Sequence, residues 1–509
     1  MTQAADLALT NGRVRTLSDS TASAVAVRDG RIVRVGNCHE VDLLTGVETR
    51  VIDLDGRVLL PGFIDAHTHL DVLGQQEVEA DLTDCETKAA LLDRLDDHRE
   101  RTDREWVIGF GYDENRWNGN YLTRGQLDAV SDSRPVVAFR EDLHLASVNS
   151  VVLERFGETF PPAGVESDAG EPTGVLTEGA VETLRKHCKP GPTRMRTYLL
   201  AAQEHAHSKG VTTVHDMVRR SAAPRVYREL EMDGALTLRV RLNYWADHLD
   251  AVFETGLVTN AGTDRLQIGA IKTFADGSFG GRTARLSEEY VDGPGRGEWI
   301  TPPGELGTLV ERVDDAGLQM AVHAIGDEAI ESVLDAYEGT TGGRHRIEHA
   351  ELQTDAVLER LTAAKAIVSG QPNFLKWARR DGLYDSRLGL QRRKQTNQFG
   401  RLQDAGTTLA FGSDCMPLDP LFGIEQAVTA PEDGQRLDVT AAIRAYTVGG
   451  AIAGFDEGRL GTIEVGKHAD FVVLSDSPWE LEPITAIDVV ATIAGGELVY
   501  TDSSQIQTQ

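Results

Sequence analysis

Cysteine is scarce. Cys38, Cys85, Cys188 and Cys415 are scattered over 509 residues with no Cys-x-x-Cys pair. That spacing argues against a disulfide framework or a structural zinc knuckle and makes buried free thiols the expectation. Lysine is also depleted: only nine of the 51 basic residues are lysines, against 80 acids and a formal charge of −29. The acids are dispersed rather than gathered in a tail. Nucleic acid is therefore not an expected partner, because phosphate binding needs a basic surface. Two readings remain: an ordinary acidic protein or, favoured by the few lysines, adaptation to high salt, where carboxylates hold water and salt screens their repulsion. No run of 18 or more apolar residues occurs, so no membrane partner is expected. The opening Met1-Thr2-Gln3-Ala4-Ala5-Asp6 lacks a basic and then apolar leader pattern, so a cytoplasmic location is expected.

What is present is organised in two styles. Residues 6–54 alternate short β-like runs with turns, and Asn11-Gly12 and Asp29-Gly30 are hairpin signals. The far end repeats the style in Ala469–Leu474, Val489–Ala494 and Leu498–Tyr500, with Gly495-Gly496 between the last two. Neither end holds many strands, so residues 1–60 and 455–509 are expected to form one shared β-sandwich. Between them, over 61–454, strand and helix patterns alternate. Eight strands are expected, in 62–70, 211–215, 239–244, 266–274, 318–323, 345–349, 366–369 and 408–412. Apolar residues at helical spacing, such as Ala329, Ile330, Val333, Leu334 and Tyr337, lie between several of them. Eight strands alternating with helices favour an α/β fold, a (β/α)8 TIM barrel. The first connection is far too long for a plain crossover. Residues 75–195 are accordingly read as an inserted subdomain, helix-bearing and partly β, over the barrel mouth.

Active sites of such barrels lie at the C-terminal strand ends. The first strand ends in Asp65-Ala66-His67-Thr68-His69. In a strand, residues i and i+2 share a face, so both imidazoles can meet one metal ion. Lys272 stands in the fourth strand, His323 closes the fifth, His349 the sixth, and Asp414 follows the eighth. Alone, each has an ordinary explanation: a satisfied polar histidine, a helix cap at Asp414, a Lys272–Asp276 pair. Together they match metal-assisted hydrolysis by one or two divalent ions, with Zn²⁺ the first expectation. Lysine, whose ammonium cannot ligate, can take up CO₂ when neutral, and the carbamate on Lys272 could bridge two metals. Asp414, on a metal and beside an activated hydroxide, could accept its proton and later protonate the leaving group.

These residues bring the chain to a family. It resembles the amidohydrolase superfamily, in the branch that includes N-substituted formamide deformylases. The resemblance rests on Leu-Pro-Gly-Phe-Ile-Asp-Ala-His-Thr-His-Leu (60–70), Ile-Lys-Thr-Phe-Ala-Asp-Gly-Ser-Phe-Gly-Gly-Arg-Thr-Ala (271–284), Val-His-Ala-Ile-Gly-Asp (322–327), Arg-Ile-Glu-His-Ala (346–350), Phe-Gly-Ser-Asp (411–414) and Gly461–Leu474. It implies a composite sandwich beside a metal-bearing barrel. It implies that His67 and His69 bind the more buried metal, that His323 and His349 bind the more exposed one, that Lys272 bridges, and that Asp414 is the base. It implies a hydrolase of non-peptide carbon–nitrogen bonds acting on a small molecule, and a homo-oligomer of two or more copies. The same site could instead cut an ester or lactone or deaminate its substrate. A non-catalytic scaffold would require lost ligands, and none is lost.

His144, His215 and Arg282 are candidate substrate contacts: His215 closes the second strand, His144 lies in the insertion, and Arg282 sits in a glycine-rich loop. That loop is no phosphate cradle, because neither Gly-x-Gly-x-x-Gly after a strand nor a Walker pattern is present. Trp117, Trp245 and Trp377 are read as core or pocket wall, and the remaining histidines as surface or packing.

Overall fold

Runs of four to nine residues, buried on both faces, become the parallel strands at the centre of this molecule. A computed structural model describes residues 3–18, 20–117, 119–141, 144–341, 344–364 and 366–502. Its eight-stranded sheet comprises β1 (Phe63–Thr68), β2 (Val211–Val218), β3 (Arg239–Trp245), β4 (Leu266–Phe274), β5 (Gln319–Ala324), β6 (Arg346–His349), β7 (Ile367–Gly370) and β8 (Leu409–Phe411). Each strand pairs in parallel with the next in sequence. Helices such as Ala223–Met232, Pro303–Asp315, Asp327–Tyr337 and Asp355–Ala364 make the crossovers. The apolar face expected on Asp327–Tyr337 is the face it buries. This is a nearly closed TIM barrel, as the strand–helix alternation predicts.

The gap between the last and first strands is closed by a side chain. Asp65 Oδ1 accepts hydrogen bonds from the Ser413 amide at 2.9 Å and the His67 amide at 3.1 Å. The Asp414 amide donates to the His67 carbonyl at 2.8 Å. A Cβ at Gly412 would sit 2.5 Å from the His67 nitrogen, so only glycine permits this approach.

The two chain ends share a sandwich. One sheet has the order Arg31–Gly36, Ala24–Arg28, Leu7–Thr10, Arg50–Asp53. The other runs Glu497–Thr501, Val489–Ala494, Phe471–Leu474, Val58–Pro61, Arg13–Arg15, Thr21–Ala22. Val58–Pro61 pairs antiparallel with Phe471–Leu474, which is where the two ends join. Leu9, Val25 and Ile52 meet Leu59, Phe471, Val473 and Ile493 in the core between the sheets.

Asp29 and Gly30, both at positive φ, form the expected two-residue hairpin between Arg28 and Arg31. Gly495-Gly496 does the same between Ala494 and Glu497. Asn11-Gly12 differs from expectation: the strands on either side of it lie in different sheets. Asn11 does take the left-handed conformation, but its side chain bonds Asp53 and the Gly12 amide bonds the Ser23 carbonyl, so the turn carries the chain from one sheet to the other.

The long first connection forms a separate compact unit, Leu70–Ala202, somewhat wider than the expected 75–195. Its six-stranded sheet has the order Val165–Asp168, Glu171–Thr177, Leu145–Val148, Val136–Arg140, Val107–Tyr112, Ala80–Asp81. Apolar clusters cover both faces, Val107 facing one and Ile108 the other. Buried Glu79 is held by His98 at 3.1 Å, by Arg104 at 3.0 Å, and by Arg194 and Tyr198. Asp142 and Leu143, which precede the candidate His144, lie outside the described residues.

Barrel and sandwich belong to one unit, joined by a bidentate pair in which Arg239 Nε and Nη2 donate to Asp470 at 2.6 and 3.0 Å. Both residues are buried. Asp470→Ala strands the arginine and is expected to cost about 3–5 kcal/mol of unfolding free energy, read as an earlier urea midpoint. A loss below about 1 kcal/mol would show that the pair is not what joins them.

Candidate metal centre

The barrel brings five strand ends to one place. His67, on β1, is 1 % exposed, and His69 follows one residue beyond the strand. Their rings lie 5.6 Å apart, as the i, i+2 spacing requires. From beyond β8, Asp414 Oδ1 approaches His69 Nε2 at 3.2 Å and His67 Nε2 at 3.7 Å. Lys272, on β4 and fully buried, places Nζ 3.4 Å from His67 Nε2. The His349 ring is 5.0 Å from that of His67, and the His323 ring 4.4 Å from that of His349. His69, Asp414, Lys272 and His349 therefore surround His67, and His323 joins the cluster through His349. Among the described residues, the ligand atoms of His67, His69 and Asp414 lie within 4.8 Å of one another.

Neighbouring acceptors choose which ring nitrogen faces the site. His67 Nδ1 meets Glu348 Oε2 at 2.6 Å, so Nε2 is the nitrogen turned toward Asp414 and Lys272. His323 Nε2 lies 2.9 Å from the Gly277 carbonyl, to which it must donate, leaving Nδ1 with the lone pair. Two of the site residues stand on left-handed backbone, His349 at φ 69° and Asp414 at φ 53°. Such conformations are costly and cluster at functional sites. At His349 the turn breaks strand alternation. Glu348 and His349 are consecutive, yet both reach His67.

Burial decides the charges. It pushes His67, His323 and His349 well below the usual imidazole range, so they are neutral and offer lone pairs. Burial lowers Lys272 to about 8. For Asp414, burial works upward, but His67, His69 and Lys272 overcome it and hold the carboxyl at about 2. Neutral imidazoles and an ionised carboxylate are a donor set that fits a divalent ion.

Buried Asp276 is pushed up to about 7 by desolvation, and its carboxylate takes amides from Arg285, Ile325 and Gly326. It organises the loops after β4 and β5 rather than pairing with Lys272. Phe274 packs 4.3 Å from the His323 ring, and Phe374 stacks on His349 at 5.9 Å. Trp245 in turn packs on Phe274.

The three candidate substrate contacts have partners of their own. β2 continues past His215 to Val218, and the ring is buried with Nδ1 accepting from Arg346 at 2.8 Å. Arg282 makes a bidentate pair with Asp292 at 3.0 and 2.9 Å. His144 is exposed in the other unit and faces Glu178 at 3.3 Å. Arg346 and Glu348 carry no role in the sequence reading, although both fall in the Arg-Ile-Glu-His-Ala motif. Their i, i+2 spacing on a buried strand was the available signal. Cys415, whose Sγ accepts from the His69 amide at 3.3 Å, had none.

Comparison with known proteins agrees with this geometry. The model of the amidohydrolase family matches residues 50–500. Protein LONG AFTER FAR-RED 3 of Arabidopsis thaliana is 32 % identical, over 97 % of this chain and 92 % of that protein. An N-substituted formamide deformylase of Arthrobacter pascens is 28 % identical, over 98 % and 99 %. The crystal structure of an uncharacterised metal-dependent hydrolase from Pyrococcus furiosus superposes with a TM-score of 0.82 at 32 % identity, covering 93 % of this chain and all of that one. The chain belongs to the amidohydrolase family and is an enzyme of that family, a metal-dependent hydrolase.

Proposed function

We propose that this enzyme hydrolyses a non-peptide carbon–nitrogen bond in a small substituted amide, formamide or cyclic amide. The observation that carries this reading is the convergence of His67, His69 and Asp414 at the β1 and β8 ends. These three would hold one ion, and His323 and His349 a second, with Lys272 between. Nitrogen and oxygen donors of this kind suit zinc. When bound, the metal supplies a Lewis acid that polarises a carbonyl oxygen and brings the pKa of water toward neutrality.

Asp414, ionised and at the edge of the cluster, accepts a proton from the attacking water. It then delivers that proton to the leaving nitrogen as the carbon–nitrogen bond breaks, giving an acid and an amine. Phe274 and Phe374 cover the flanks of His323 and His349 against water. Lys272, lowered to about 8 by burial, has an accessible neutral form. Its amine can add to CO₂ with loss of a proton, and the resulting carbamate would supply anionic oxygen donors for the ions. The deformylase relative, matched nearly end to end, supports an amide-type substrate. A cytoplasmic, salt-adapted homo-oligomer without nucleic-acid or membrane partners completes the reading.

Chelation is expected to abolish hydrolysis and zinc to restore it; unchanged turnover in protein verified as metal-free would end the proposal. Asp414→Asn is expected to lower kcat by about 10²–10⁴-fold with metal content retained. A panel of amides, formamides and cyclic amides, run in high salt beside esters and lactones, tests the bond. Turnover confined to the esters or lactones would overturn the carbon–nitrogen assignment. Isotope-labelled bicarbonate should give a carbamate carbon resonance that Lys272→Gln lacks. Its absence from the metal-loaded native enzyme would remove the bridging role.

A further inference from the structure

We propose that Glu348 and Arg346 are positioning residues that aim His67 at the metal. The inference rests on the metal-centre reading above. Glu348 is wholly buried and divides its two oxygens: Oε2 lies 2.6 Å from His67 Nδ1, and Oε1 accepts from Arg346 Nε at 2.8 Å. An ionised carboxylate can only accept, so the proton of a neutral His67 stays on Nδ1 and the lone pair on Nε2. That is the nitrogen facing Asp414 and Lys272.

Arg346 is among the largest fully buried side chains of the protein, and all three of its nitrogens are occupied. Beyond Glu348, Nη1 donates to His215 Nδ1 at 2.8 Å, and Nη2 donates to the Ala66 carbonyl at 2.6 Å and Ser369 Oγ at 3.0 Å. One guanidinium thus ties β6 to β1, β2 and β7, and its contact on β1 is the residue before His67. A fixed planar fork suits this task; the single point charge of a lysine would not reach all four partners. His215, a candidate substrate contact by sequence, is on this reading the acceptor that completes the arginine's shell.

The competing explanation is that Glu348 only balances the buried charge of Arg346. The two differ in Glu348→Asp, which keeps the charge but withdraws it from His67 by one methylene. Metal affinity is read by competition with a chromophoric chelator, and ligand geometry by the visible spectrum of the cobalt-loaded protein. Positioning predicts that Glu348→Asp weakens metal binding about 10–100-fold and alters the cobalt spectrum while the protein stays folded. Native affinity and an unchanged spectrum in Glu348→Asp would overturn it. Should that variant fail to fold, the pair Arg346→Met with Glu348→Gln removes both charges together and leaves none stranded. The same two results in that protein decide the question. Failure of the native protein itself to bind metal would instead overturn the reading of the centre.

Discussion

Two strand ends that lie far apart in the chain must meet before any metal can bind. The contact that brings them together is the buried carboxylate of Asp65, which takes the amide of Ser413, 348 residues away, along with that of His67. The Asp414 amide returns the bond to the His67 carbonyl. Ordinary ladder pairing would join the strands but would not place Asp414 against both His67 and His69. Here the barrel's closure and the assembly of its site are one event. Gly412 permits it, since any side chain there would strike the His67 backbone.

Closing the barrel around so many polar groups has an energetic cost, and the site uses that cost. Desolvation keeps the imidazoles neutral and draws Lys272 toward neutrality. Of the groups placed to hold the ion, Asp414 is the carboxylate held ionised, by the histidines and lysine around it. The centre is thus prepared with lone pairs and one negative charge before an ion arrives, which is what a cation-binding site needs. Left-handed backbone at His349 and Asp414 supplies the directions that regular strands cannot.

Much of this was legible in the residues, for identifiable reasons. Parallel strands buried on both faces appear as short apolar runs, so all eight were visible, β1 ending two residues earlier and β2 three residues later than expected. His67, His69, Lys272, His323, His349 and Asp414 stood out because each is a polar residue ending or interrupting such a run. Interactions between strands were not legible. That Glu348 serves His67 depends on strand register across the barrel, and that His215 faces Arg346 depends on β2 continuing beyond it. Arg282 found Asp292 through a loop conformation that no local pattern encodes. Asn11-Gly12 was correctly a turn, but its strands found partners in different sheets, a choice made by tertiary packing.

The sandwich binds the beginning of the chain to its end, and this shapes how the protein comes into being. Val58–Pro61 has Arg13–Arg15 on one side, but its other neighbour is Phe471–Leu474. On the ribosome, that second edge stays open through the synthesis of the entire barrel. Contacts of such long range make folding slow, and an open edge is a template for wrong partners. Val58–Pro61 therefore gains its second neighbour only once Phe471–Leu474 has been made, after every strand of the barrel.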